Sequence, residues 1–328
     1  MPEIDECSIL ITTENAKKRF RRKLLSWYDR HKRDLPWRRS KDPYEIWLSE
    51  IMLQQTRVNA VLEHYKRFVK KFPRVERLAV ARTSAVLAAW SGLGYYRRAR
   101  MMHAAAKAIV KKHGGKIPSS FAELQSLPGI GRYTAAAIAS VAFSEPVEVV
   151  DGNVTRVVQR IAGKALAGEE VWSEASALLS RTRPGDFNQA MMELGATVCL
   201  PRQPKCLTCP VYELCSTRGE LSRPEPEIRR QAQVHYSLEE RDGLVRMVMR
   251  PKASTLMPEM WELPEIKPNG HDPWLTLKHS ITITDYTVFV SRDADTTVKT
   301  GAWIPAARLT AVPLTGLARK ILKAARII

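Results

Sequence analysis

No stretch of the 328-residue chain approaches the roughly 20 consecutive apolar residues that a membrane-spanning helix needs, so no membrane partner is expected. The first residues include Glu3, Asp5, Glu6 and Glu14 and hold no apolar core of signal-peptide type. Neither secretion nor organelle import is therefore indicated, and a cytoplasmic location is expected, nucleoid-associated if the source is bacterial. Acidic residues are in short supply: 34 Asp and Glu face 52 Lys and Arg, which leaves a net charge of +18. That surplus points to a polyanion as partner. Cysteine is scarce as well. Of five, four crowd into Cys199 to Cys215, which argues for metal or cluster ligation over a disulfide framework, while Cys7 stands apart.

What remains is ordinary for a folded chain with room for about two domains, with 45% hydrophobic and 26% charged residues. Its organising stretch is Leu127-Pro-Gly-Ile-Gly-Arg-Tyr-Thr-Ala-Ala136. Phe121 to Leu127 reads as a short amphipathic helix, and Thr134 to Phe143, rich in Ala and Ile, as a second one. Pro128 and Gly129 stop the first helix. Gly131 permits a positive φ, and its missing Cβ lets a phosphate approach the bare N–H groups of the second helix. Ser91-Gly-Leu-Gly-Tyr-Tyr-Arg-Arg98 is a second hinge that combines close backbone approach, stacking rings and phosphate ligands. Plain helix turns are the competing reading of both.

Two carboxylates stand out. Glu50 falls within one turn of Ile46, Trp47, Leu53 and Gln54 in a helical stretch from Pro43 to Val69. Burial on such a stripe would raise its pKa and hold a proton near neutrality, unless it reaches solvent at the stripe's edge. Asp151 follows an extended apolar run and opens a helix to about Gly163, where it serves as an N-cap or, kept ionised, as a cation-stabilising group. Residues 15 to 34 form a basic amphipathic helix, followed by Asp34-Leu-Pro-Trp-Arg-Arg39, an aromatic beside two cations. The cysteine spacing, Cys199-x6-Cys206-x2-Cys209-x5-Cys215, has one close pair where structural zinc usually has two. A four-thiolate iron–sulfur cluster tolerates such gaps, although the spacing alone does not name its type. Residues 216–232 read as a linker. Beyond it Leu244 to Met249, Ser280 to Val290 and Thr297 to Ile304 are strand candidates, and Leu314 to Ile328 is a basic amphipathic helix.

Together these stretches resemble the helix-hairpin-helix DNA glycosylase superfamily, and within it the MutY-type adenine DNA glycosylases. The likeness is close from Leu35 to Cys215 and looser beyond. It implies a mainly α N-terminal helix-hairpin-helix glycosylase domain (residues 1–215, with an iron–sulfur loop at 199–215) and a smaller α+β MutT-like, Nudix-fold C-terminal domain (233–328). Tyr133 stands where endonuclease III-type lyases carry a nucleophilic Lys, Trp47 to Thr56 matches the adenine-glycosylase segment, and Leu256 to Pro264 resembles the Leu-Trp-Glu-Phe-Pro run of the oxoguanine-reading domain. The implied activity is monofunctional hydrolysis of the N-glycosidic bond of adenine paired with 8-oxoguanine or guanine in duplex DNA, by a monomer. The alternatives are a bifunctional glycosylase and lyase, or a non-catalytic iron–sulfur DNA-binding regulator.

Carried over by position, the resemblance makes Glu50 the acid, Asp151 the stabiliser of the oxocarbenium-like sugar, with Tyr133 assisting and Asn153 orienting it. Arg33, Leu35, Trp37 and Arg38 would line the adenine pocket. Gln55, Thr56, Leu93 and Tyr95 would occupy the gap in the duplex, Gly129 and Gly131 the hairpin clamp, and Cys199, Cys206, Cys209 and Cys215 would hold a 4Fe–4S cluster. In the C-terminal domain the family's His-x-Phe-Ser-His loop falls on His279 to Ile283, with Thr282 left to meet an oxoguanine edge. The Nudix Glu-rich signature is absent, so no nucleotide hydrolysis is expected.

Overall fold

The computed structural model describes residues 11, 13–221, 229–268, 272–281, 283–292 and 301–328. In chain order the helices are α1 (Glu14–His31), α2 (Pro43–Leu53), α3 (Val58–Lys71), α4 (Val75–Ala79), α5 (Thr83–Trp90), α6 (Arg97–His113), α7 (Phe121–Gln125), α8 (Arg132–Phe143), α9 (Gly152–Ala162), α10 (Glu169–Leu178), α11 (Pro184–Thr197) and α12 (Gly316–Ala324). The strands are β1 (Arg230–Leu238), β2 (Glu240–Arg241), β3 (Leu244–Met249), β4 (Trp261–Glu262), β5 (Glu265–Ile266), β6 (Leu275–Ile281), β7 (Thr284–Arg292) and β8 (Ala302–Pro305). None of the described helices is long and apolar enough to cross a membrane.

The chain forms two compact units, neither continuous in sequence: Met1–Gln55 with Ala108–Pro224, and Thr56–Lys107 with Glu225–Ile328. In the first, the apolar stripe of α1 (Phe20, Leu24, Leu25, Trp27) shares a core with Val157 and Ile161 of α9 and Phe187, Met191 and Leu194 of α11. Gly195 is required where α11 meets α9, because a Cβ there would lie 2.6 Å from that of Asn153. In the second unit β1 pairs parallel with β7 and antiparallel with β5, and β6 closes that sheet beside β7. A second sheet joins β2, β3 and β4, with β8 on β3. Met247, Val288, Val290, Leu317 and Ile321 fill the core between sheets and α12.

Several local expectations change. The stretch from Pro43 to Val69 is two helices, broken at Gln54–Arg57, where Gln55 adopts φ 54°. In the hairpin the left-handed residue is Gly129, at φ 73°, because the chain must reverse directly after α7. Gly131 sits at φ −86° as the N-cap of α8, and no atom lies within 4 Å of where its Cβ would be, so its contribution is open space at the helix terminus. Ser280 to Val290 is not one strand but the end of β6 and most of β7, paired antiparallel from Leu275–Val290 to Ile281–Thr284. Alternation cannot reveal a reversal whose flanking residues, Ile281 and Ile283, are themselves β-branched. Strand β1 begins at Arg230, inside the stretch expected as linker, since backbone pairing to Thr284 needs no apolar side chain.

Candidate active site

Glu50 lies near the C-terminal end of α2, packed within the first unit and only 8% exposed. Tyr133 stands in the first turn of α8, and its hydroxyl donates to Glu50 Oε2 at 2.6 Å, with Met192 Sδ of α11 at 3.5 Å from the same oxygen. Burial pushes the Glu50 carboxyl up to about 7; the Tyr133 bond and the Arg38 charge oppose this, while the negative charge of Asp151 adds to it. Tyr133 is driven well above its ordinary range by burial and by the same two carboxyls. A buried acid that holds its proton near neutrality and a phenol that keeps its own therefore share one hydrogen bond.

Asp151 N-caps α9, accepting from Val154 N at 2.7 Å through Oδ1 and from Asn153 Nδ2 at 2.9 Å through Oδ2. Both donors, together with the helix N-terminus, suit a negative oxygen. The amide of Asn153 has one possible sense here. Arg156 Nη2, which can only donate, meets Asn153 Oδ1 at 2.8 Å, and so the amide nitrogen must face Asp151. Arg156 is itself fixed by Gly195 O at 2.7 Å and Cys199 O at 2.8 Å.

The two arginines expected at the adenine pocket, Arg33 and Arg38, converge on a residue that sequence reasoning missed. Glu193, on α11, has a side chain only 1% exposed and accepts from Arg33 Nε at 2.7 Å and Nη2 at 2.8 Å, from Arg33 N at 3.2 Å, and from Arg38 Nη2 at 2.8 Å. Despite burial, these cations hold its carboxyl down to about 2. Arg38 also donates to Arg33 O at 3.1 Å, which closes the loop over buried Leu35 and Trp37. The one available signal was a carboxylate set directly between Met191, Met192 and Leu194 on α11.

The structure thus gathers Glu50, Tyr133, Asp151, Asn153, Arg33, Leu35, Trp37 and Arg38, with Gly129 and Gly131, in one unit; Gln55 ends its first segment and is exposed. Thr56, Leu93 and Tyr95 belong to the other unit, where Leu93 is buried and Tyr95 is 45% exposed. Thr282 lies outside the described residues.

Among the described residues no three His, Cys, Asp or Glu side chains are grouped to hold a metal ion. Cys199, Cys206, Cys209 and Cys215 instead line one open pocket with Arg160, Tyr212 and Arg218. Arg160 Nη1 approaches Cys199 Sγ at 3.3 Å and Arg218 N approaches Cys215 Sγ at 3.5 Å, donors of the kind that steady thiolate sulfur. Burial pushes Cys209 up to about 11 and raises Cys206 too, so a thiolate at either of these two positions needs a positive centre beside it.

The first unit thus carries a hairpin between α7 and α8, a buried acid on α2, a carboxylate capping α9 and a cysteine-lined pocket after α11. Residues 48–175 match the model of the HhH-GPD superfamily base excision DNA repair proteins. A solved thermostable thymine-DNA glycosylase superposes with a TM-score of 0.58 at 30% identity, covering 62% of this chain and 97% of that one. The chain belongs to the HhH-GPD superfamily. It is 47% identical over 232 residues to the mouse adenine DNA glycosylase, covering 63% of this chain and 45% of that protein. It is 48% identical over 211 residues to the rat enzyme, covering 60% and 41%. The match thus spans less than half the length of these curated relatives.

Proposed function

We propose that the protein is a monofunctional adenine DNA glycosylase that removes adenine mispaired with 8-oxoguanine or guanine in duplex DNA. The observation that carries this reading is the presence in one unit of a buried Glu50, its carboxyl pushed up to about 7, and of Asp151 accepting two hydrogen bonds as the cap of α9, in a chain whose curated relatives are named adenine DNA glycosylases. The target adenine must leave the helix to reach them. Glu50 then gives its proton to adenine N7, the C1′–N9 bond breaks with its electron pair going to the base, and Asp151 stabilises the cationic sugar. Glu50, now a carboxylate, takes a proton from the water whose oxygen bonds to C1′; the products are free adenine and an abasic site. Tyr133 holds Glu50 in place and offers no amine for a Schiff base, which disfavours the lyase alternative. Arg33, Leu35, Trp37 and Arg38 line the adenine pocket, and Gln55, Thr56, Leu93 and Tyr95 serve the opened duplex.

In this reading Cys199, Cys206, Cys209 and Cys215 would hold a 4Fe–4S cluster, which would supply positive charge to their thiolates and tie together the loop bearing Arg202 and Lys205. The loop's cations, with Gly129 and Gly131 at the bare N-terminus of α8, meet the DNA backbone. Residues 233–328 form the MutT-like reader of the oxidised guanine. Single-turnover excision on duplexes that place adenine opposite 8-oxoguanine, guanine and thymine tests the whole: release from the first two and not the third is expected, and no release from any refutes it.

A further inference from the structure

The second unit contains a ring of hydrogen bonds that begins and ends in the segment Leu314–Arg319 and passes through the Ser91–Arg98 loop. Arg319 Nη2 of α12 donates to Ser91 Oγ at 2.5 Å. Tyr96 OH spends its one proton on Leu314 O at 2.6 Å, so in its 3.3 Å contact with Ser91 the serine hydroxyl is the donor. Tyr96 is 2% exposed and Leu314 0%. The segment is anchored in its turn: Trp261 N donates to Pro313 O at 2.8 Å, Thr315 N to Trp261 O at 3.0 Å, and Thr315 Oγ1 to buried Glu262 at 2.6 Å. One turn further along α6, Arg100 reaches Pro258 O at 2.6 Å and Glu259 at 3.0 Å. The sheet region of this unit is therefore bonded to the loop that the resemblance assigns to the opened duplex.

That loop carries strain. Gly92 and Gly94 sit at φ 106° and 70°, and Tyr95, which has a bulky side chain, at φ 47°. A non-glycine residue in this region is uncommon and persists only where its surroundings over-determine it. Trp90 Nε1 and Arg98 Nη2 both donate to Gly94 O, at 3.1 and 3.4 Å, and Arg98 Nη2 also meets Leu93 O at 3.2 Å. Those bonds fix the middle of the loop; Ser91 and Tyr96, on either side of Tyr95, are fixed by the Leu314–Arg319 segment. The result is a half-exposed aromatic residue, its ring faced by the Arg98 guanidinium at 5.3 Å from the ring centre, with its backbone already in the strained form.

We propose that Leu314–Arg319 is a brace that pre-organises the Ser91–Arg98 loop, with Tyr96 and Arg319 as positioning residues that hold Tyr95 ready to stack against bases where a nucleotide has left the duplex. This rests on the adenine-glycosylase reading for its ligand but not for its mechanics. It also gives residues 233–328 a part in every productive encounter, whatever base lies opposite the adenine.

The test uses the full chain with Tyr96→Phe, which keeps the ring, and Arg319→Met. Hydrogen exchange of the DNA-free proteins should quicken about three- to tenfold at amides 91–98, the loss of one or two net hydrogen bonds, and stay unchanged in α9. Arg319→Lys, which can still donate to Ser91, should restore slow exchange. With duplex, fluorescence of a 2-aminopurine next to the flipped position should change less on binding, and the apparent affinity should weaken by a similar factor opposite guanine and 8-oxoguanine alike, with the rate at saturation nearly unaltered. Unchanged exchange at 91–98 in both variants would overturn the brace. Quicker exchange with normal 2-aminopurine signal and affinity would overturn its role in stacking. If the wild-type chain binds duplex but releases no adenine, the catalytic reading fails and the exchange and fluorescence results still decide this one.

Discussion

Replacing Glu193 by Gln should destabilise the protein in a way that acid removes. The carboxyl falls from an ordinary 4.5 to about 2 because Arg33 and Arg38 bond to it in a buried site. At 1.36 kcal/mol per pH unit that fall is worth about 3 kcal/mol. The Arg33 side chain is 40% exposed, so water screens part of its share, and about 1.5–3 kcal/mol is expected for the variant at pH 7. Gln preserves the shape but turns an amide N–H₂ toward guanidinium donors, so one bond becomes a clash of donors. For a chain of 328 residues, whose unfolding entropy is about 0.7 kcal/mol/K, the melting temperature should drop by roughly 2–4 °C. The sign follows from a depressed carboxylate: its stabilisation is complete above pH 4.5 and fades as pH falls toward 2. Thermal melts of DNA-free wild type and variant at pH 7, 4.5 and 2.5, followed by circular dichroism, should show a gap that is large at the first two values and nearly closed at the third. A variant melting within 1 °C of wild type at pH 7, or a gap that persists at pH 2.5, would refute the ion-triad argument.

Other outcomes follow from the same site. Glu50→Gln should slow adenine release by roughly 10²- to 10⁴-fold with little change in duplex affinity, and rates within threefold of wild type would remove Glu50 from the mechanism. Because burial raises Glu50 from 4.5 to about 7, its ionisation works against folding as pH rises through that window. The same variant should therefore be more stable than wild type at pH 8, by about 1–3 kcal/mol, and equal to it near pH 4. Excision by wild type should decline above about pH 7, and Tyr133→Phe, by removing a bond that favours the Glu50 carboxylate, should move that decline to higher pH; a shift to lower pH would contradict the assignment. Asp151→Asn should cost about 3 kcal/mol or more in the excision barrier while leaving the α9 cap intact, since Asn also caps helices; a variant that melts early yet keeps its rate per folded molecule would mark Asp151 as a cap alone. Cys206→Ala should remove iron and weaken DNA binding, and an iron-free variant with normal affinity would separate the cluster from DNA contact.

Sequence alone determined what is set by near neighbours in the chain. A period of 3.6 placed Glu50 among Ile46, Trp47 and Leu53, and the change from an extended run to a helix placed Asp151 as the cap of α9, because one turn of backbone decides both. The Pro-Gly pair likewise marked the reversal after α7, although which glycine turns left-handed depended on where α8 starts. Tertiary structure decided the rest. Glu193 meets Arg38 across 155 residues and Arg319 meets Ser91 across 228, and a chain with 52 cations and 34 acids offers many pairings that no spacing distinguishes. The direction of the Asn153 amide waited on Arg156, whose own place depends on carbonyls of Gly195 and Cys199. Only packing revealed that Thr56–Lys107 folds with the sheets rather than with the helices flanking it in sequence, since compactness is a property of contacts and not of order along the chain.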